Sequence, residues 1–110
     1  MVGYAERENK ADINTSTSGD NTLIAAPGVG KYLAIDFITM IPTTDVTVQL
    51  KTGTTNYGGA YPLDAKQPLT FENAMLSESG VITCGDNEAF VLNLADAVQV
   101  GGFVRYRIVG

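Results

Sequence analysis

The run "VTVQLKT", residues 46–52, has a strict period of two: Val46, Val48 and Leu50 point one way, and Thr47, Gln49 and Lys51 the other. Successive side chains of an extended strand leave opposite faces, so this spacing makes a strip with one apolar and one polar side. Such a strip is stable only when its apolar side packs against a second layer. Other runs follow the same rule. "TLIAA", "KYLAIDFITMI", "PLTFE", "VITC", "EAFVLNLA" and "FVRYRIV" are short and rich in Val, Ile, Leu and aromatic residues, with turn-forming stretches such as "PGVGK", "PTTD" and "GTTNYGGAYPL" between them. In "KYLAIDFITMI", Leu33, Ile35, Phe37 and Ile41 are expected on one face, and Tyr32, Ala34, Asp36 and Ile38 on the other. "VITC" and "EAFVLNLA" flank a "GDN" turn and predict a hairpin with Phe90, Leu92 and Leu94 inward. No stretch keeps a helical period beyond a turn or two. Short strands punctuated by turns predict an all-β fold, a single antiparallel β-sandwich or jelly roll.

At 110 residues the chain has room for one core and therefore one domain. Residues 1–20, "MVGYAERENKADINTSTSGD", are polar and have little to bury. They predict an extended N-terminal arm, with a weak strand around residues 13–18, ahead of a sandwich domain spanning residues 21–110. An open sandwich has edge strands with unpaired backbone groups, and an arm in this place is suited to cover one, in its own subunit or in a neighbour. Tyr4, Arg7 and Ile13 are the arm's candidate contact residues.

Several kinds of chemistry are excluded by residue type. "GVGK" at residues 28–31 is not a phosphate loop: one residue separates Gly28 from Gly30 where four are needed, and Tyr32 stands where a Ser or Thr must follow the lysine. It is expected to be the bend of a hairpin. The chain has no histidine, which removes the commonest general base and metal ligand together. Cys84 is the only cysteine, so neither an internal disulfide nor a thiolate zinc site is available; it reads as a small apolar strand residue. Asp12, Asn14 and Ser16 have the spacing of a calcium loop, but Thr17 and Leu23 occupy the positions that need glycine and glutamate. Asp36, Glu72 and Glu88 show no mutual spacing, and Asp45, Asp64, Asp86 and Asp96 fall in turns, where aspartate bonds its own backbone. The expectation is a non-enzymatic protein without catalytic residues, cofactor or metal.

A net charge of −5 is opposite to what nucleic acid or an anionic membrane attracts. No apolar run approaches the ~20 residues that span a bilayer. The opening residues have no apolar signal region, so synthesis in a cytoplasm is expected, and the sequon at Asn14 has no glycosylation route. Two features are candidates for binding. Phe103, Arg105 and Arg107 share one face of the last strand and suit contact with an acidic partner surface. Tyr57 and Tyr61 lie in a glycine-rich loop and suit sugar stacking or interface anchoring.

"NTLIAAPGVGKYLAIDFITM", "VTVQLKTGTT", "GGAYPL" and "LNLADAVQVGGFVRYRIV" together resemble the small β-sandwich structural proteins of tailed bacteriophages. The resemblance covers about four-fifths of the chain, and its motifs are mostly apolar and turn residues that support the fold. It implies a virion component on the capsid exterior, a decoration (cement) protein. Such a protein binds the major capsid protein and reinforces the shell, often as a homotrimer with an N-terminal arm reaching onto the capsid. The alternative is a head or tail fibre-type adhesin, holding host-surface carbohydrate through Tyr57 and Tyr61.

Overall fold

The computed structural model describes residues 8–73 and 80–110. The strands are β1 (Asn9–Thr15), β2 (Gly19–Ile24), β3 (Tyr32–Pro42), β4 (Val46–Thr52), β5 (Thr55–Asn56), β6 (Tyr61–Leu63), β7 (Leu69–Glu72), β8 (Ile82–Thr83), β9 (Phe90–Leu94) and β10 (Val100–Val109). They form two antiparallel sheets, one of order β1-β10-β3-β7 and one of order β2-β9-β4-β5. In the first sheet β8 pairs with β3 as well, and in the second β6 pairs with β4. The all-β sandwich follows from the period-two runs. Val48 and Leu50 of β4, Phe90, Leu92 and Leu94 of β9, Leu33 and Ile35 of β3, and Val100 and Val104 of β10 meet between the sheets and are buried. Each contributes roughly 1.5–3 kcal/mol by leaving water.

Four expectations need correction. The first concerns the arm. Asn9–Thr15 is an integral strand, paired with β10 along its whole length from Asn9↔Tyr106 to Thr15↔Val100. Ile13 is only 2% exposed and belongs to the core, so it is not a contact residue. The polar composition misleads because Lys10, Asp12 and Asn14 lie on the solvated side of this strand, while a single large apolar residue anchors the other. The segment covers an edge of its own subunit, and β2 already begins at Gly19. Tyr4 and Arg7 lie outside the described residues.

The second correction is in β3. Its register against β10 slips between Arg105 and Tyr106: Ile35 faces Tyr106, Phe37 faces Arg105, and Asp36 is the extra residue of a β-bulge. A bulge reverses the alternation that follows it. Leu33 and Ile35 point inward as expected, but so do Ile38 and Met40, while Phe37 and Ile41 are turned to the outer face.

The other two corrections concern connections. "VITC" and "EAFVLNLA" are not a hairpin, because β8 pairs with β3 and β9 with β2 and β4. Residues 25–31 likewise bridge β2 in one sheet and β3 in the other. This bend is closed by Lys31 N–H to the Gly28 carbonyl (3.1 Å), and Asn87 holds it by accepting from Gly28 N–H (2.9 Å) and donating its own N–H to the Lys31 carbonyl (2.7 Å). Cys84 follows β8 rather than lying in it; it is buried, and burial pushes its thiol up to about 11.

At Gly102 a close approach of two strands requires glycine. Gly102 of β10 has φ +153°, and a Cβ there would run into the Thr39 carbonyl oxygen and Met40 Cα of β3.

Ile13→Ala tests whether β1 belongs to the core. Truncating a buried isoleucine costs about 2–5 kcal/mol. The variant is expected to lose that much in urea unfolding, whereas Lys10→Ala, from the outer side of the same strand, shifts stability by less than about 0.5 kcal/mol. An unchanged midpoint for Ile13→Ala would mean that β1 is not part of the folded core.

Candidate functional site

The outer faces of the two sheets differ in chemistry. On the second sheet, β2, β9 and β4 are tied together by polar side chains. Lys51 Nζ donates to both Asp20 oxygens (3.1 and 3.0 Å), and Asn93 Nδ2 donates to Asp20 Oδ1 (2.7 Å). These bonds hold the Asp20 carboxyl below its ordinary value of 3.8, the Asn93 bond having the largest effect and Lys51 the next. On β4, Gln49 Nε2 donates to the carbonyls of Leu50 (2.9 Å) and Gly58 (3.2 Å). This face satisfies its polar groups within itself.

The first sheet presents a different surface. Strand register aligns Asp12, Phe103, Thr39 and Thr70 in one row across β1, β10, β3 and β7, and Lys10, Arg105, Phe37 and Glu72 in the next. The Phe37 and Phe103 rings stand 5.4 Å apart, tilted by 42°, and the Arg105 guanidinium lies 5.7 Å from the Phe103 centroid. Arg105 is exposed and forms no ion pair among the described residues, in contrast to its neighbours. Lys10 pairs with Asp12 at 3.0 Å. Arg107 donates from Nε (2.7 Å) and Nη2 (2.8 Å) to the two oxygens of Asp36, in a pair whose side chains are only 15% and 13% exposed. Asn73 Nδ2 adds a bond to Asp36 Oδ1 at 3.1 Å.

The structure therefore places Phe103, Arg105 and Arg107 together as the sequence predicts, but divides their roles. Arg107 fastens β10 to the bulge of β3, and Phe103 and Arg105 remain accessible. Phe37 was missed, because unbroken alternation puts it in the core; so was Ile41, which is 43% exposed. The one available signal was Asp36, since a carboxylate inside an apolar strand calls for a partner and disturbs the pattern around it.

Tyr57 and Tyr61 are elsewhere, at the gap between the sheets, packed against the core. The Tyr61 ring sits 5.6 Å from that of Phe71, and both tyrosines line a cavity of about 80 Å³ with Leu50 and Ile82 among its walls. Rings committed to such packing offer little face to a sugar. Among the described residues no three His, Cys, Asp or Glu side chains are grouped to hold a metal. A pair of aromatic rings with an unpaired guanidinium laid over one of them has the composition favoured at protein interfaces. No protein-family model matches this chain, and no curated protein matches it.

Asp36→Asn is expected to cost about 1–3 kcal/mol, because it removes the charge from a carboxylate that accepts two hydrogen bonds from a mostly buried guanidinium. Arg105→Ala, two residues along the same face, stays within about 0.5 kcal/mol in the same denaturant measurement. For Asp20 the pH sign is set by its lowered folded-state pKa. Its contribution is complete above the ordinary carboxylate value and is lost as pH falls through the folded-state value. In unfolding titrations between pH 7 and about pH 3, Asp20→Asn should lose less stability than the unsubstituted chain.

Proposed function

We propose that this chain is a non-enzymatic structural protein of a tailed-phage particle, attached to the outside of the capsid shell as a decoration protein. The observation that carries the reading is the outer face of the first sheet, where Phe37, Phe103 and Arg105 make an accessible aromatic–guanidinium patch. The sandwich fold suits this role, because it presents that face on a rigid sheet braced from below by the core. The patch meets an acidic surface of the shell protein: Arg105 supplies the charge and the two rings supply apolar contact. Each contact is modest, and repetition over many copies converts modest contacts into firm attachment through multivalency.

The decisive measurement is the copy number of this chain relative to the major shell protein, by quantitative mass spectrometry of purified particles from the source culture. Near-stoichiometric abundance is expected. A few copies per particle would make the chain a tail or fibre component, and absence from particles would overturn the reading. Given attachment, Phe103→Ala and Arg105→Glu are each expected to weaken binding to stripped shells by at least ~10-fold, the scale of interface anchor residues. Circular dichroism should be unchanged. Full binding by both variants would place the contact elsewhere.

A further inference from the structure

Every open sandwich must protect its edge strands from pairing with other chains. Here most edges are blunted. β5 and β8 have two residues each, β6 has three and contains Pro62, β7 has four, and β2 carries a register shift between Thr22 and Ile24. β1 is the exception. It has seven residues, its register with β10 is unbroken, and its other edge pairs with no strand among the described residues. It contains neither proline nor glycine.

We infer that this edge of β1 pairs with β1 of a second copy, antiparallel about a two-fold axis through Ala11. Register carries the argument. An isologous antiparallel pair that keeps both inner faces on the same side must be centred on a residue, so that residues equally spaced on either side of it lie opposite each other. Centring on Lys10 puts Lys10 against Lys10, centring on Asp12 puts Asp12 against Asp12, and centring on Ile13 puts Asp12 against Asn14 and forms no ion pair. Like charges directly opposite are destabilising. Centring on Ala11 puts each Lys10 opposite the second copy's Asp12. Within one strand Lys10 already bonds Asp12 at 3.0 Å, so the four charges alternate around a closed square, with each ammonium between two carboxylates. The added carboxylate also offsets the cross-strand neighbour on the other side of Lys10, which is Arg105, another cation. At the axis, Ala11 meets Ala11, two side chains small enough to share the inner face.

The pairing joins the two first sheets into one continuous sheet and sets two Phe37–Phe103–Arg105 patches on a common outer face. It closes at two copies, where the phage resemblance implies three, and it stands independently of the attachment reading because it needs no partner but the chain itself.

The test is sedimentation equilibrium of the full chain between about 1 µM and about 1 mM. The mass is expected to rise from 11.6 kDa toward twice that value, with weaker association at high salt. Lys10→Asp alone and Asp12→Lys alone put like charges opposite each other, and each is expected to raise Kd by at least ~10-fold. The double reversal Lys10→Asp with Asp12→Lys is again self-complementary and should restore the dimer. Both positions are largely exposed, at 61% and 74% for their side chains, so the fold tolerates the changes. A chain that stays at 11.6 kDa throughout, a single reversal that leaves the dimer intact, or a double reversal that fails to restore it overturns the pairing.

Discussion

The bulge at Asp36 decides which half of β3 faces the core. Before it, Leu33 and Ile35 point inward; after it, Ile38 and Met40 do, because one extra residue reverses the alternation. Without the bulge, Phe37 and Ile41 would enter the core while Ile38 and Met40 faced water. The bulge in turn depends on a charge pair. Asp36 is turned outward in the middle of an apolar strand, and Arg107 meets it with two hydrogen bonds from the facing strand. Charge-assisted, two-point contacts of this kind are strong and directional, which suits them to holding one register against its neighbours. Gly102 completes the arrangement by letting β10 come close to the Thr39 carbonyl, where any side chain would push the strands apart.

From that register follows the asymmetry of the molecule. The outer face of the second sheet is a polar net in which Asp20, Lys51 and Asn93 satisfy one another. The outer face of the first holds two phenylalanines in tilted ring contact that the same bulge brings together, one from each strand of the β3–β10 pair. These half-buried rings keep part of their apolar surface in water, and a guanidinium over one of them offsets part of that cost by cation–π attraction. Asp12 and Asp36 on this face are committed to Lys10 and Arg107, and Arg105 beside the rings is a positive point on a protein of net charge −5. Complementarity of that local sign to an acidic partner gives orientation more than affinity, with the rings supplying the apolar contact.

Legibility in the sequence followed the range of the determining interaction. β4 and β9 were readable because their alternation is local and uninterrupted: Val48, Leu50, Phe90, Leu92 and Leu94 are buried as their spacing requires. Phe103 and Arg105 were readable for the same reason. What depends on a distant strand was not. The bulge needs β10 to be specified, so Phe37 was assigned inward. β8 and β9 look like a hairpin in sequence, yet each is captured by a different sheet, since pairing with the long β3 and β4 offers more than pairing with each other. β1 has only Ile13 to mark it as core, and one residue does not make a pattern; the strand exists because β10 has an edge to offer it. Tyr57 and Tyr61 had the right composition for a binding loop, but their burial against Phe71 and Leu50 is set by how the sheets close over that gap.

The position of β1 connects the two surfaces argued for here. Adding β1 to β10 hides β10's own edge but creates another, and an edge is removed only by closure, covering or pairing. The outer side of this strand carries one cation and one anion two residues apart, a pattern that is complementary to its own reverse. A charged edge usually discourages association, but this charge pattern is its own antiparallel complement and so favours a second copy. Such a pairing buries little apolar area beyond Ala11, so its affinity is modest by construction. Its consequence is geometric: two phenylalanine–arginine patches become fixed on one rigid face. The entropy of arranging two contacts is then spent once rather than twice when that face meets a repeating surface.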